Sequence, residues 1–178
     1  MPPFNAIFRS WKSNHAPNRN HSPVQISPGS KLLLDSCSMM HCDIECFFKN
    51  EAPGLVSKCV DIIVSKSCMD ELARLHRSPV RETAVAATKA WNTIITYQKA
   101  GLCQICGDFD DETHADPVFL YVILKYRRRF PVFVVTQDND LADDIELTNH
   151  LKSTHCTNKA KALKMMPDGS LKERKRHV

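Results

Sequence analysis

Short apolar runs alternate with longer amphipathic stretches between residues 31 and 149. The short runs have the length and apolar content of buried parallel strands, and the longer stretches repeat their apolar residues with helical spacing. Strands that alternate with helices indicate crossover connections, which place successive strands in a parallel sheet. The pattern therefore predicts an α/β fold with a central parallel sheet.

The bounds of the predicted elements come from the capping and breaking residues between these runs. Ser67, with Asp70 three residues later, is typical of a helix N-cap, and Gly101 is typical of a helix end. Pro53-Gly54 predicts a break, and Pro167-Asp168-Gly169 predicts a hairpin turn near the C-terminus. The predicted strands are 31–35, 60–64, 102–106 and 131–135, and the predicted helices are 38–50, 67–76, 82–100, 116–129 and 140–149.

Composition divides the chain into three parts. Residues 1–30 are rich in Pro, Asn and Ser and carry no acidic residue, which predicts a flexible basic extension. Residues 31–155 are the predicted folded domain, and residues 156–178 are a C-terminal basic segment, predicted as a hairpin and then a tail. Although the net charge is only +4, basic ends flank an acidic middle. That asymmetry fits a metal site beside phosphate-binding arms, and it also fits ordinary solvated tails.

Two classes of protein are disfavoured by the composition. No run of about 18 apolar residues is present, so no membrane span is expected, and Arg9 and Lys12 interrupt any secretory signal. The eight cysteines are then expected to be reduced thiols of a cytoplasmic protein. A zinc site at Cys103 and Cys106 would need further ligands, for which His155-Cys156 is the distant candidate; buried thiols before a strand are the favoured interpretation.

Four carboxylates lie where predicted strands end. Asp35 and Asp138 follow strands, Glu71 lies in the first turns of a later helix, and another helix opens with Asp116. Because the carboxyl ends of parallel strands meet at one sheet edge, we expect these side chains to gather there. Four like charges repel one another unless a cation neutralises them. Hard divalent cations prefer oxygen ligands and suit phosphodiester hydrolysis, so the pattern predicts a metal site.

In this arrangement residues 31–151 resemble the PIN-domain nuclease family. The resemblance rests on Leu32-Leu33-Leu34-Asp35-Ser36 and on Asp70-Glu71-Leu72 after a β-branched run. It also rests on the helix start Ala115-Asp116-Pro117 and on Val134–Leu141, whose Thr-x-Asp is the most specific of these motifs. The resemblance implies a PIN-like fold, a Rossmann-like three-layer sandwich around the central parallel sheet.

The resemblance also implies a function. Family members of this kind are metal-dependent endoribonucleases that cleave phosphodiester bonds of single-stranded RNA in an acidic pocket holding Mg²⁺ or Mn²⁺. Carried over by position, the catalytic and metal-binding acids are Asp35, Glu71, Asp116 and Asp138. The residues expected to support them are Ser36, Thr136 and Asp140, and Asp140 is also a candidate to join or replace Asp138.

Three alternatives compete with this interpretation. A haloacid-dehalogenase-like phosphatase needs a second Asp two positions after the first, where this chain has Cys37. A catalytically inactive PIN-like module would bind RNA or protein, although its acidic set would be expected to be broken. The toxin of a toxin–antitoxin pair would have an antitoxin or another protein regulator as partner, although the 30-residue lead-in is atypical. The resemblance is also compatible with a homodimer, and no membrane partner is expected.

Overall fold

Six strands form one sheet in the computed structural model, which describes residues 24–41, 44–107, 115–151 and 158–174, without the side chains of 41 and 115–118. The strands are β1 (Lys31–Leu34), β2 (Asp61–Ser65), β3 (Gln104–Cys106), β4 (Val132–Val135), β5 (Ala160–Met165) and β6 (Leu171–Glu173). Their order is β3-β2-β1-β4-β5-β6. The first five are parallel and β6 is antiparallel to β5, so the predicted parallel sheet is confirmed.

Helices flank this sheet and complete the predicted three-layer α/β sandwich. They are α1 (Ser36–His41), α2 (Ile44–Asn50), α3 (Ala52–Val56), α4 (Lys66–Leu75), α5 (Arg81–Lys99), α6 (Ala115–Arg127) and α7 (Asn139–Thr148). Leu32–Leu34, Ile62–Val64 and Val132–Val135 are buried throughout, without the alternation of a strand that has one face in water. Continuous burial is what a strand covered on both faces requires.

The chain changes direction across the sheet between β1 and β4. It builds β1, β2 and β3 towards one side, and then returns to add β4 and β5 on the other side of β1. Such a reversal leaves a crevice at the carboxyl ends of the two strands, the usual ligand position in open α/β sheets. Asp35 and Thr136 are the residues that directly follow β1 and β4, so the switch point falls on predicted site residues.

Two predictions about helices are wrong in detail. The helix predicted over 38–50 starts earlier, because α1 begins at Ser36; α2 continues the helical structure from Ile44, and residues 42–43 lie outside the described residues. Pro53-Gly54 lies within the short helix α3, because proline is tolerated in a first turn.

The N-cap of α4 also differs from the predicted Ser67. Ser65 is the capping residue, since its Oγ accepts from the backbone N of Cys68 at 3.1 Å. The Ser67 hydroxyl lies 2.8 Å from that of Ser65. The last residue of β2 therefore caps the helix that follows it, which leaves almost no loop between β2 and α4.

The ends of the described chain pack onto the domain. Ile26 and Ser30, which belong to the predicted extension 1–30, are buried, while residues 1–23 lie outside the described residues. Pro167-Asp168-Gly169 lies in the turn between β5 and β6, where the hairpin was predicted. The predicted domain boundary at 155–156 falls outside the described residues. None of the described helices is long and apolar enough to cross a membrane.

Candidate active site

Asp35 occupies the switch point as a buried carboxylate. The residue is only 8% exposed. Its backbone N donates to Val135 O at 3.0 Å, and this bond extends the pairing of β1 with β4. Thr136 Oγ1 donates to Asp35 Oδ2 at 2.9 Å, and the Cys37 thiol donates to the same oxygen. These bonds fix the orientation of the carboxylate at the sheet edge.

Ser36 joins Asp35 to a second carboxylate. Its Oγ lies 2.6 Å from Glu71 Oε2, to which it donates, and 3.4 Å from Asp35 Oδ1. Glu71 reaches this position from α4, whose start is fixed by the cap at the end of β2. Arg74 lies 3.8 Å from the other Glu71 oxygen and is largely exposed, so its screening of the pair is weak. Two acids predicted from separate motifs therefore share one hydroxyl.

Burial dominates the electrostatics of this pair. It raises the pKa of Asp35 above its ordinary value of 3.8 against the lowering effect of the Cys37 and Thr136 hydrogen bonds, and the charge of Glu71 adds to the rise. Burial also raises the pKa of the Cys37 thiol to about 11 and that of Cys68 to about 12, with Asp35 contributing to both. Within the described residues, every donor to the Asp35 carboxylate is therefore uncharged at neutral pH, and a bound cation would relieve an unfavourable charge.

Asp138 is connected to Asp35 through Thr136, but its carboxylate already accepts hydrogen bonds from the backbone. Its N donates to Thr136 Oγ1 at 3.0 Å, while its Oδ1 caps α7 by accepting from Asp140 N at 2.7 Å and Leu141 N at 3.2 Å. Asp138 and Asp140 are both exposed. The sequence correctly anticipated an acid beside β4, whereas its role as a helix cap was missed.

The structure brings together only part of the predicted metal-binding set. Asp35, Ser36, Glu71 and Thr136 are in contact, and Asp138 adjoins them through Thr136. Asp116 is the second residue of α6, and its side chain lies outside those described. Among the side chains that are described, no group of three or more His, Cys, Asp or Glu residues could hold a metal ion. The four-carboxylate centre therefore stays a prediction.

A groove of about 650 Å³ adjoins the acidic edge. Cys37, Met40, Asp138 and Lys164 are among the residues that line it. Cys37 contacts Asp35 and also lines the groove, and Lys164 of β5 lines the same groove, so the groove adjoins both the buried carboxylate and β5. Lys164 was not predicted as a site residue. The only sequence signal is a lysine within the otherwise apolar run Ala160–Met165, and Lys161 shares that signal, so the sequence could not have identified Lys164 by itself.

Arg174 was predicted only as part of the basic C-terminal segment, not as a residue of the site. Its guanidinium donates to the carbonyl oxygens of Gln137 (3.2 Å) and Asp138 and to Asn139 Oδ1. Gln137 Nε2 in turn donates to Met165 O at 2.7 Å. The loop between β4 and α7 is thereby tied to the β5–β6 hairpin, and this fixes the position of Asp138.

The Cys103–Cys106 pair fits the favoured interpretation of buried thiols. Cys103 is buried, its thiol donates to Ile94 O at 3.8 Å, and burial raises its pKa to about 12. Cys106 ends β3 and is half-buried. His155-Cys156 lies outside the described residues.

Comparison with solved structures identifies the fold. The structure of the PIN domain endonuclease Utp24 matches with a TM-score of 0.54 and 13% identity, over 85% of this chain and 96% of that one. A domain of a functionally unknown protein from Methanocaldococcus jannaschii DSM 2661 matches with a TM-score of 0.44 and 14% identity, over 84% and 98%. No family model matches the chain, and no curated protein matches it either. The chain has a PIN-like fold, as its motifs predicted.

Proposed function

We propose that the protein is a metal-dependent endoribonuclease that cleaves phosphodiester bonds of single-stranded RNA. The observation that carries the proposal is the buried Asp35 carboxylate, joined through Ser36 to Glu71 at the switch point of a PIN-like sheet. Burying an anion beside a like charge is costly for folding, and such arrangements concentrate at functional sites. The similarity to a PIN domain endonuclease supports the nuclease class.

The donor chemistry fits Mg²⁺ or Mn²⁺. Asp35 and Glu71 offer carboxylate oxygens, which hard divalent cations prefer, and Asp116 and Asp138 are the further predicted ligands. When bound there, such an ion would lower the pKa of a water molecule and offset negative charge on the reacting phosphate. The chain's own contribution is positional: Thr136 and Cys37 orient Asp35, and Ser36 fixes its approach to Glu71.

The test is cleavage of a panel of single- and double-stranded RNAs with Mg²⁺, with Mn²⁺ and with EDTA. We expect the wild type to cut the single strands only with metal, and Asp35→Asn to lose at least about a hundredfold in rate. Asp70→Asn is the matched control, because Asp70 precedes Glu71 but is exposed and paired with Lys66. It should cut at the wild-type rate. Near-full cleavage by Asp35→Asn in Mn²⁺ would show that the metal assignment is wrong.

One observation favours a second candidate, a PIN-like module that binds RNA without cutting it. Within the described side chains, the carboxylates of only two predicted ligands, Asp35 and Glu71, contact a common group, and the Asp138 carboxylate is occupied as a helix cap. The same panel separates the two functions. Retained binding of single-stranded RNA with no cleavage in either metal would favour the binding module.

A further inference from the structure

The β5–β6 hairpin presents basic side chains on one face, beside the acidic edge. Lys164 on β5 is directly opposite Lys172 on β6 in the antiparallel register, so the two side chains share a face. Arg174 lies two residues further along the chain and continues the same face. We call Lys164 and Lys172 the lysine pair.

In the part of the chain that the structure describes, the positive charges of the lysine pair are not neutralised by an acidic partner, whereas the positive charge on the other face of the hairpin is. Like charges directly opposite one another destabilise a pair of strands. Within the described residues, neither ammonium group forms a hydrogen bond or ion pair, and both residues are exposed. On the opposite face, Lys161 Nζ pairs with Glu173 Oε1 at 2.9 Å. One hairpin therefore carries a neutralised face and a face that would gain from an anion.

This face is held against the groove by several contacts. Lys164 lines the groove together with Asp138. Arg174 and Gln137 tie the hairpin to the loop that follows β4. At the hairpin turn, Gly169 has a φ of +83°, and a Cβ added there would lie 2.3 Å from Phe47 N in α2. Such a close approach fixes the hairpin relative to the acidic edge, so the lysine pair keeps its place beside the groove.

We propose that Lys164 and Lys172 bind a backbone phosphate of single-stranded RNA, next to the phosphate that is cut. The inference rests on the proposed function, which places the reacting phosphate at Asp35 and Glu71. A strand that leaves this edge along the groove passes Cys37 and Asp138 and reaches Lys164. The lysine pair would offset the repulsion between the RNA backbone and the acids. The β5–β6 hairpin would then be part of the substrate-binding surface.

The test is the affinity of the full chain for a labelled 2′-O-methyl RNA single strand in EDTA, by fluorescence anisotropy, between about 50 and 200 mM salt. Lys164→Gln and Lys172→Gln should each raise Kd about fivefold at the lowest salt. Each should also lower the slope of log K against log salt by about 0.7. Lys161→Gln is the control: it removes the same charge from the same strand, but from the opposite face. Its Kd and slope should stay close to those of the wild type.

Several results would overturn the inference. These are Kd values and slopes for Lys164→Gln and Lys172→Gln that match those of Lys161→Gln, or a wild type that does not bind the strand. A third is that the variants bind the strand as the wild type does, and that they differ from it only because inorganic phosphate no longer inhibits strand binding. That result would indicate a site for free phosphate instead. Thermal unfolding verifies that the variants fold, and Lys172→Gln should not lower the midpoint because it removes a like-charge contact.

Cleavage assays with Mn²⁺ separate this inference from the proposed function. If the wild type cuts RNA while the lysine-pair variants and Lys161→Gln share its KM, only the inference fails. If the wild type binds the strand through the lysine pair but cuts no RNA with either metal, the proposed function fails and the inference stands.

Discussion

The two edges of the sheet each bury a charged side chain, and they satisfy it in opposite ways. At the carboxyl edge, Asp35 receives uncharged donors and approaches Glu71 through one hydroxyl. At the amino edge, Arg127 is only 2% exposed and donates to Asn158 O at 3.1 Å, to Thr148 Oγ1 at 3.0 Å and to Thr148 O. One charge faces a like charge, and the other faces acceptors only.

This difference separates a structural charge from a functional one. Arg127 ends α6 and binds a carbonyl at the end of α7 and another just before β5, and Asn158 Nδ2 returns a hydrogen bond to Arg127 O at 3.1 Å. A cation among carbonyls at helix C-termini is favourable, so these contacts stabilise the fold. Asp35 gains no comparable stabilisation for its charge. Removing the charge of Arg127 should therefore lower the stability of the fold, and removing the charge of Asp35 should raise it.

The largest expected effect is at Arg127. Arg127→Met keeps much of the side-chain volume, but it leaves the Asn158 carbonyl without a donor among the described residues and the Thr148 carbonyl with only the backbone N of Leu151. It also removes the bond to the buried Thr148 hydroxyl, so we expect a loss of about 3 kcal/mol. The thermal midpoint should fall by about 9 °C. Arg128→Met is the matched control, because Arg128 is adjacent and exposed, and its midpoint should change little. Equal changes in the two variants would show that the buried bonds do not stabilise the fold.

Asp138 lies at the carboxyl edge but resembles Arg127 in having its side chain satisfied by the backbone. Asp138→Ala removes the cap of α7 and should cost about 1 kcal/mol, measured by urea unfolding. Asp138→Ser removes the charge but keeps a capping oxygen, so it should restore most of that stability. If serine were as destabilising as alanine, the charge and not the cap would be the stabilising feature.

The sequence predicted the fold, and it predicted for physical reasons which residues lie at the carboxyl edge of the sheet. Leu32-Leu33-Leu34 has the continuous apolar pattern of a strand buried on both faces, and an acid that follows such a strand lies at the sheet edge. The same reasoning placed Asp138 at the edge that Asp35 occupies, whereas the supporting role of Thr136 came from the family resemblance; the two residues are in contact although about a hundred residues separate them. Local patterns determine which edge a residue reaches, and for these residues that was enough.

The contacts that depend on register and rotamer were not predictable in the same way. The bond from Ser36 to Glu71 requires the start of α4 to be set by Ser65, not by Ser67 as predicted. The opposition of Lys164 and Lys172 depends on the register of a hairpin, since a shift of one residue would place them on different faces. No local pattern in a single sequence fixes either of these.

The smallest expected effect has the opposite sign. In EDTA at neutral pH, Asp35→Asn should raise the thermal midpoint by about 2 °C, or about 0.7 kcal/mol, because it removes a buried anion beside Glu71. An asparagine at this position retains an oxygen that can accept from Thr136 and Cys37. Asp70→Asn changes the net charge by the same amount, because it also removes one carboxylate, but at an exposed residue that is paired with Lys66. It should lower the thermal midpoint slightly or leave it unchanged.

The pH dependence gives that last comparison a sharper test. Because the pKa of Asp35 is raised in the folded state, ionisation is harder there than in the unfolded chain. The cost of its charge is therefore fully present above the raised pKa, and it disappears below the ordinary value of 3.8, where Asp35 is protonated in both states. The advantage of Asp35→Asn over the wild type should shrink as the pH falls through this range. An advantage that stayed constant down to pH about 3 would show that packing, not charge, distinguishes Asp35 from the satisfied charge at the other edge.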